Sequence, residues 1–327
     1  MRIDFVKNLV ANLSDSEKAE LGAFLKGLEN DGVADLDEAR FSGGLYCTNC
    51  GGTEKVVRFG KRNGVQRYRC KDCGRIFTTL TNTVMEGTRK PISTWKKYVE
   101  CMLDGLSVRK SAAICGISKN QSFIWRHKIL DAMSKKNDKE AHLRGIIEAD
   151  ETFFRISFKG SRKLPREAHH RGESSNKRGL SKEKACVACA IDREGVLFSK
   201  RSNLGKISVD DLENAYRGHV AENSIFCTDS EKSYCKFAKN NGYELIQIES
   251  GKYKAGVYHI NHINATHSKM KKFMRRFNGV ATKYLQNYLS WFGMMKNSAK
   301  DVLCSFIKVA YFMKCAYISD RPSVPVN

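Results

Sequence analysis

The stretch RGIIEADETFF, residues 144–154, decides the fold of the second half of the chain. Its apolar residues predict a buried β-strand, and the alternation of side chains along a strand places Glu148 and Asp150 on one face and Glu151 on the other. A carboxylate inside an apolar strand is unfavourable unless it is paired or bound to a cation. The stretch therefore predicts a strand that carries an acidic, cation-binding site.

A second acid follows another apolar run, SIFCTD, residues 224–229. Asp229 ends this run and precedes a predicted helix, and ligands bind at the carboxyl ends of such strands. From residue 145 onward the pattern predicts strands that alternate with helices, which is typical of an α/β domain. Asp229 is therefore a second candidate for the site.

The histidine-rich stretch GVYHINHINATHSKMKKFMRRF, residues 256–277, supplies a third part. Asn264 is predicted to open a helix, and Lys271 lies seven residues later on the same face. Two strand-borne aspartates with an amide and a lysine on a helix suit two-metal phosphoryl transfer. Here Asp150 would bridge two Mg²⁺ ions, Asp229 and Asn264 would add oxygen ligands, and Lys271 would hold a DNA phosphate.

Each of these positions also has a simpler interpretation. Asp150 alone could be a surface acid, and Asp229 or Asn264 could cap the helix that follows it. The three histidines of the stretch could instead hold Zn²⁺, although their spacing fits no standard ligand pattern. They are His259, His262 and His267.

Four cysteines in two CxxC pairs predict a zinc ribbon over residues 45–80. Each CxxC turn places two sulfurs on one ion, and four thiolates leave no open coordination position, so the zinc is expected to be structural. The four ligands are Cys47, Cys50, Cys70 and Cys73. A further CxxC, Cys186 and Cys189, lies in a predicted buried strand, where the two side chains would be small hydrophobic residues on opposite faces.

Residues 105–133, GLSVRKSAAICGISKNQSFIWRHKILDAM, predict a helix-turn-helix. Ser107 is expected to cap the first helix and Ser118 the second. Polar side chains at the start of a recognition helix read base edges, although a helical hairpin used only for packing is the alternative. The residues expected inward are Ala112, Ala113 and Ile114 on the first helix, and Phe123, Ile124, Ile129 and Leu130 on the second. Those expected to be exposed and to bind DNA are Lys119, Asn120, Gln121, Arg126 and Lys128.

The charge balance points to a polyanionic partner. Lys and Arg number 57 against 35 acids, a net charge of +22, and nucleic acid is the commonest polyanion. Residues 155–184 are especially basic and are interpreted as a loop that contacts DNA phosphates, with a solvated loop as the alternative. The sequence shows neither a secretory signal nor a membrane span. We therefore expect a cytoplasmic, nucleoid-associated protein with no membrane partner, whose cysteines are thiols or metal ligands.

Taken together, these motifs resemble the bacterial insertion-sequence transposases of the DDE type, in the superfamily related to Merlin elements. The resemblance is carried by the four ribbon cysteines, the strand IIEADETFF, the stretch CTDSEKSY and the block HINATHSKMKKFMRRFNGVATKYLQNYLSWF. It covers nearly all of residues 45–293 and implies an RNase H-like catalytic core with Asp150 and Asp229 as metal ligands.

The third active-site residue differs between branches of that superfamily. In most relatives it is Glu, whereas in one branch it is Asn followed by Lys seven residues later, which Asn264 and Lys271 match. An alignment to the Glu branch would instead place His267 at the carboxylate position. The resemblance therefore favours Asn264 as the third residue.

The predicted organisation is multidomain. It comprises a helical segment and linker (1–44), a zinc ribbon (45–80), a helix-turn-helix (90–135) and an RNase H-like catalytic domain (143–320) with a mixed sheet flanked by helices. The resemblance implies a homo-oligomeric enzyme that binds terminal inverted repeats and performs Mg²⁺-dependent DNA cleavage and strand transfer. The alternatives are a non-catalytic DNA-binding regulator derived from a transposase, and a nuclease that never joins ends.

Overall fold

A computed structural model describes residues 40–62, 65–165, 182–249 and 254–297, with a few isolated positions outside these ranges. The chain forms two compact units, and the boundary between them falls after Ala132. Most of the predicted N-terminal helical segment, the middle of the basic loop (166–181) and the end of the predicted catalytic domain (298–320) lie outside the described residues.

The first unit contains a small antiparallel sheet in the predicted ribbon region. Its middle strand pairs with both neighbours, so the strand order is β1-β2-β3. Cys47, Tyr68, Cys70 and Phe77 form its buried core. So few side chains cannot stabilise a module of this size, which is the physical reason to expect a bound metal. The strands are β1 Val56–Arg62, β2 Val65–Cys70 and β3 Ile76–Phe77.

Three helices follow: α1 Ile92–Leu103, α2 Val108–Cys115 and α3 Lys119–Glu140. Both predicted caps are present, because Ser107 Oγ accepts the Lys110 N–H at 3.3 Å and Ser118 Oγ accepts the Gln121 N–H at 3.1 Å. Gly116 ends α2 with a φ of 60°, a left-handed conformation that glycine adopts without strain. Local sequence signals therefore fix the turn between α2 and α3.

The predicted faces of these helices are partly wrong. Ile114 and Phe123 were expected inward, but they are 43% and 36% exposed, and Ala113 is also exposed. Arg126 was expected on the surface but is only 1% exposed, because its guanidinium donates to Leu106 O at 2.7 Å and Ser111 Oγ at 3.3 Å. Trp125 takes the central inward position, with its ring 3.7 Å from that of Trp95.

The second unit is built on a five-stranded mixed sheet with the order β6-β5-β4-β7-β8. The first three strands form an antiparallel meander, and β7 and β8 run parallel to β4. The strands are β4 Ile146–Arg155, β5 Lys184–Asp192, β6 Leu197–Leu204, β7 Ile225–Thr228 and β8 Glu244–Gln247. The helices are α4 Val209–Tyr216, α5 Lys232–Asn241, α6 Asn261–Arg275 and α7 Leu285–Asn297, with a 3₁₀ turn Thr282–Tyr284 before α7.

Helices cover both faces of this sheet. On one face, α4 and α5 contribute Leu212 and Phe237 to a core that includes Cys186. On the other face, α6 and α7 contribute Met270 and Leu289 to a core that includes Cys189. The prediction that the two strand cysteines are buried on opposite faces is confirmed. A meander followed by two parallel strands, with helices on both faces, is the predicted RNase H-like arrangement.

Candidate active site

The acidic strand β4 divides its carboxylates between the two faces of the sheet, as predicted. Ile147 and Ala149 belong to the core under α4 and α5, so Glu148 and Asp150 face the opposite side, where α6 packs. Glu151 lies on the α4/α5 side, where burial raises its pKa to about 7. Asp150 and Glu148 are therefore the two acids of β4 that helix α6 approaches.

Asp229 joins Asp150 through the register of two parallel strands. Residue 148 pairs with residue 227 and the offset of 79 is constant along the ladder, so the same register places Asp150, in the middle of β4, level with Asp229, directly after the end of β7. Burial, and then the negative charge of Asp229, raise the pKa of Asp150 to about 6. Two carboxylates that disfavour each other's charge in a partly buried place form a site that a divalent cation would stabilise.

Helix α6 brings His267 and Lys271 to this pair of aspartates. His267 Nδ1 lies 3.5 Å from Asp150 Oδ2, and the ring is 7% exposed. Burial, and then the charge of Lys271, lower the pKa of His267 to about 4, so the imidazole is neutral at pH 7. Its Nε2 is buried without a hydrogen-bond partner among the described residues. The ring therefore offers an unused lone pair or proton beside the aspartates.

Asn264 lies one turn before His267 on the same helix face and is exposed. The expectation that it opens the helix is wrong, because α6 begins at Asn261 and the Asn264 N–H already donates to Ile260 O at 3.2 Å. The interpretation of Asn264 as a helix cap is therefore excluded. The described contacts bring His267, and not Asn264, directly to Asp150.

The other two histidines surround Glu148. The ligand atoms of Glu148, His259 and His262 lie within 4.8 Å of one another, and His267 is not part of this group. Arg193 occupies the same place, with its NH1 atom 3.0 Å from Glu148 Oε1 and 2.7 Å from His259 Nε2. Because His267 instead lies beside Asp150, the described residues do not bring the three histidines together as one ligand group.

Sequence reasoning noted Glu148 but gave it no role. It is only 1% exposed, yet it lies in a strand whose neighbours are apolar. A carboxylate in an apolar strand must be stabilised by several hydrogen-bond donors if it is buried, and this requirement is the one signal in the sequence that points to its role. The donors come from residues more than 40 positions away along the chain, so no local pattern shows them.

The four ribbon cysteines form a group with metal-ligand geometry in the first unit. Their sulfurs lie within 4.8 Å of one another, with Cys47–Cys73 at 3.6 Å and Cys50–Cys70 at 3.7 Å. A tetrahedral zinc with Zn–S bonds of about 2.3 Å requires sulfurs roughly 3.8 Å apart. The backbone N–H of Arg75 lowers the pKa of Cys73 to about 6, which favours the thiolate that zinc binds.

The predicted DNA-binding residues do not all lie on a surface. Lys119 and Asn120 are exposed at the start of α3, and Gln121 is half-buried. Lys128 is half-buried, with its ammonium 3.4 Å from Val84 O, and Arg126 is a buried structural residue. The start of α3 is therefore the part of the predicted set that remains available to a ligand.

The helices that the structure describes include none with the length and hydropathy of a membrane span.

Comparison with known proteins shows what the chain is similar to. Residues 142–297, which contain all of the acidic site, match the family of ISXO2-like transposase domains. A relative from Halobacterium salinarum, described as an uncharacterized protein in transposable element ISH50, is 25% identical over 287 residues, which cover 84% of this chain and 94% of the relative.

Two solved structures are more distantly similar. A chain of the simian T-cell lymphotropic virus intasome in complex with PP2A regulatory subunit B56 gamma is 10% identical, covers 70% of this chain and 76% of its own, and has a TM-score of 0.32. The catalytic domain of Mos1 mariner transposase is 11% identical and has a TM-score of 0.29. The match covers 57% of this chain and 86% of the Mos1 chain. Scores this low do not define a site.

The sheet has the RNase H-like strand order, and the residues that form it lie within the stretch that is similar to transposase domains. Within that similarity, residues 142–297 match the ISXO2-like transposase domain, and the relative from Halobacterium salinarum belongs to a transposable element.

Proposed function

We propose that this protein is the transposase of an insertion sequence, which binds the terminal inverted repeats of its element, cuts the DNA there and joins the ends to a target. The observation that carries the proposal is the register of two adjacent parallel strands, which brings Asp150, in the middle of β4, level with Asp229, just after β7, in a region that matches a transposase domain. Two Mg²⁺ ions bound there would stabilise the charge on the attacking and leaving oxygens of phosphoryl transfer.

The side chains at this place fit Mg²⁺. Asp150 and Asp229 supply the carboxylate oxygens that this ion prefers, and a cation would offset the repulsion that raises the pKa of Asp150. We propose that Asn264 adds a neutral oxygen ligand and that Lys271, exposed on the same helix face, holds a DNA phosphate. His267 is the competing candidate for the third ligand because it lies beside Asp150.

The first unit would supply DNA recognition. Lys119, Asn120 and Gln121 at the start of α3 carry the side-chain types that contact phosphates and base edges, and Lys128 could add charge nearby. The cysteine group would hold one structural zinc ion. The net charge of +22 suits a DNA partner, and we expect a homo-oligomer in the complex that holds both ends of the element.

The test is cleavage of DNA that carries the ends of the element. Asp150→Ala and Asp229→Ala should each abolish Mg²⁺-dependent cleavage while binding to the same DNA persists, because these changes leave the first unit intact. Asp210→Ala is the matched control, since Asp210 is an exposed aspartate in the first turn of α4. If either site variant cleaves at a rate near that of the parent, the aspartate changed in that variant is not part of the active site. End binding by a parent protein that never cleaves would favour a DNA-binding regulator.

A further inference from the structure

We infer that Glu148 is a positioning residue: it holds the N-terminus of helix α6 on strand β4 and so fixes the distance between Asp150 and the helix-borne residues of the active site. The catalytic consequence rests on the proposed function, whereas the contact itself does not. Glu148 touches neither of the proposed metal-binding aspartates in any described contact, and its role is to place the helix.

Helix α6 lacks a cap of its own. The residue at its N-cap position is Ile260, whose side chain has no oxygen to accept a hydrogen bond. Glu148 Oε2 instead accepts the N–H groups of His262 at 2.8 Å and Ile263 at 3.1 Å, the second and third residues of the helix. These are the groups that a capping side chain normally satisfies. A carboxylate from another element, 114 residues away, therefore caps the helix and also complements the positive end of its dipole.

The other carboxylate oxygen ties three further side chains to the same point. Glu148 Oε1 lies 2.8 Å from His262 Nδ1, 3.2 Å from His259 Nδ1 and 3.0 Å from Arg193 NH1. The His259 ring also contacts Arg193, because His259 Nε2 lies 2.7 Å from Arg193 NH1, and its Nδ1 lies 3.4 Å from the backbone nitrogen of Asn261. Arg193 also donates to Val257 O at 3.3 Å. The β5–β6 turn, the segment before α6 and the helix itself thus converge on one carboxylate.

A second contact farther along the same two elements shows what this cap controls. Glu148 meets α6 at His262, and Asp150 meets it at His267, 3.5 Å away. Two residues of a strand advance about 6.7 Å, and five residues of a helix advance about 7.5 Å. Because these spans nearly match, the cap sets the register in which α6 presents Asn264, His267 and Lys271 to the aspartates.

Loss of the acceptor should therefore move the helix. In Glu148→Gln an amide nitrogen, which cannot accept a hydrogen bond, replaces one oxygen, and the negative charge facing Arg193 is lost. Glu194→Gln is the matched control. Glu194 lies in the β5–β6 turn next to Arg193, and its carboxylate pairs with Arg144 at 2.6 Å on the surface. Exposed pairs of that kind contribute little to stability.

The first measurement is hydrogen–deuterium exchange of the full-length protein, which follows the amides of His262 and Ile263. In Glu148→Gln these amides should exchange at least about tenfold faster than in the parent, because their buried acceptor is lost or weakened. The control should exchange like the parent. Unchanged exchange in Glu148→Gln would overturn the inference whether or not the protein is a transposase.

The second measurement is cleavage of element ends as a function of Mg²⁺ concentration. Displacement of α6 should lower the rate by about 100-fold and raise the Mg²⁺ concentration at half-maximal rate, while end binding stays parental. A change that only destabilised the fold would lower the amount of active protein and leave that midpoint unchanged. Faster amide exchange with parental cleavage would also overturn the positioning role.

A second variant covers the case in which Glu148→Gln fails to fold. Glu148→Asp keeps the negative charge but is shorter by one methylene group, so it cannot reach the same two amides. It should show faster exchange at His262 and Ile263 and a smaller loss of cleavage. If Glu148→Asp shows the parental rate of amide exchange and the parental rate of cleavage, the inference is contradicted. Failure of the parent to cleave element ends would count against the proposed function alone, because the exchange experiment still tests the cap.

Discussion

At the scale of single residues, Asp150 lies where its own charge is disfavoured. Burial and the neighbouring Asp229 raise its pKa from 3.8 to about 6. Without a divalent cation, the folded protein therefore binds a proton at Asp150 over a range of pH in which the unfolded chain has released it. The same carboxylate that a metal would use is a source of instability when no metal is bound.

This property predicts a pH-dependent stability difference. An acid whose pKa is raised on folding makes the free energy of unfolding fall as pH rises from about 4 to about 6. The neutral variant Asp150→Asn lacks this loss, so its stability relative to the parent should grow across that window, by at most about 3 kcal/mol. Thermal unfolding in EDTA at several pH values measures the difference. Asp210→Asn should show no such trend, and a difference independent of pH would contradict the prediction.

Under the proposed function, two residues one helical turn apart are the candidates for a third metal ligand. Asn264 offers an oxygen but is exposed, whereas His267 is buried beside Asp150 with a neutral ring. Mg²⁺ takes oxygen ligands in preference to imidazole nitrogen, which favours Asn264. Proximity to Asp150 favours His267. These two arguments predict opposite outcomes for two simple substitutions.

If Asn264 is the ligand, Asn264→Ala should abolish strand cleavage and Asn264→Asp should keep part of it, because the oxygen remains while the added charge alters metal affinity. His267→Ala should then retain measurable cleavage. Single-turnover cleavage under saturating Mg²⁺ is the measurement, and Ser268→Ala, an exposed position on the same helix, is the control. Parental cleavage by Asn264→Ala with none by His267→Ala would transfer the role to His267.

At the scale of elements, the ribbon shows how spacing replaces a hydrophobic core. The core of the ribbon region has only a few buried side chains, and two of these are cysteines. The sulfurs already lie at the separations that a tetrahedral ion needs. The stability of this element should therefore depend on metal and not on packing.

This dependence predicts about one zinc per chain in the purified protein, since four thiolates bind one ion. Cys70→Ser should lose the zinc and unfold the ribbon, whereas Cys235→Ser, at an exposed cysteine on α5, should retain both. Metal analysis with limited proteolysis of residues 45–80 measures the two effects. A metal-free parent with a protease-resistant ribbon would contradict the assignment.

At the scale of the whole molecule, the excess of positive charge should govern affinity for DNA. Each phosphate contact releases condensed counterions, so the logarithm of the binding constant falls linearly with the logarithm of salt concentration. The net charge of +22 comes from residues spread along the whole sequence, so the slope should be steep even for DNA without element ends.

Two variants in α3 should separate charge at the surface from charge in the core. Lys119→Ala, at an exposed position, should reduce the magnitude of the salt slope by about one if that lysine contacts a phosphate. Arg126→Ala should leave the slope unchanged and instead lower the melting temperature, because Leu106 O loses its buried donor. Binding titrations at several salt concentrations, with melting curves, measure both. A changed slope in Arg126→Ala would contradict the structural role of that residue.

Local signals in the sequence were sufficient for much of the fold. The CxxC spacing predicted the cysteine group, the alternation in β4 predicted which acids share a face, and Ser107 and Ser118 predicted the caps of α2 and α3. The alternation in β4 and the two helix caps depend on residues within a few positions of one another, so covalent geometry and the periods of strand and helix determine them before the chain is packed. The cysteine group also joins two CxxC turns, whose sulfurs meet across 20 and 26 residues, and the spacing predicted it because one ion needs four ligands.

Only the tertiary structure decided the rest. Arg126 was expected at the surface, and its burial depends on acceptors on Leu106 and Ser111, 20 and 15 residues away. The cap of α6 by Glu148 joins positions 114 residues apart, and the contact of His267 with Asp150 depends on that docking. Sequence periodicity states which face of an element is polar, but the partner of a buried polar group is set by packing between elements that are distant in the chain.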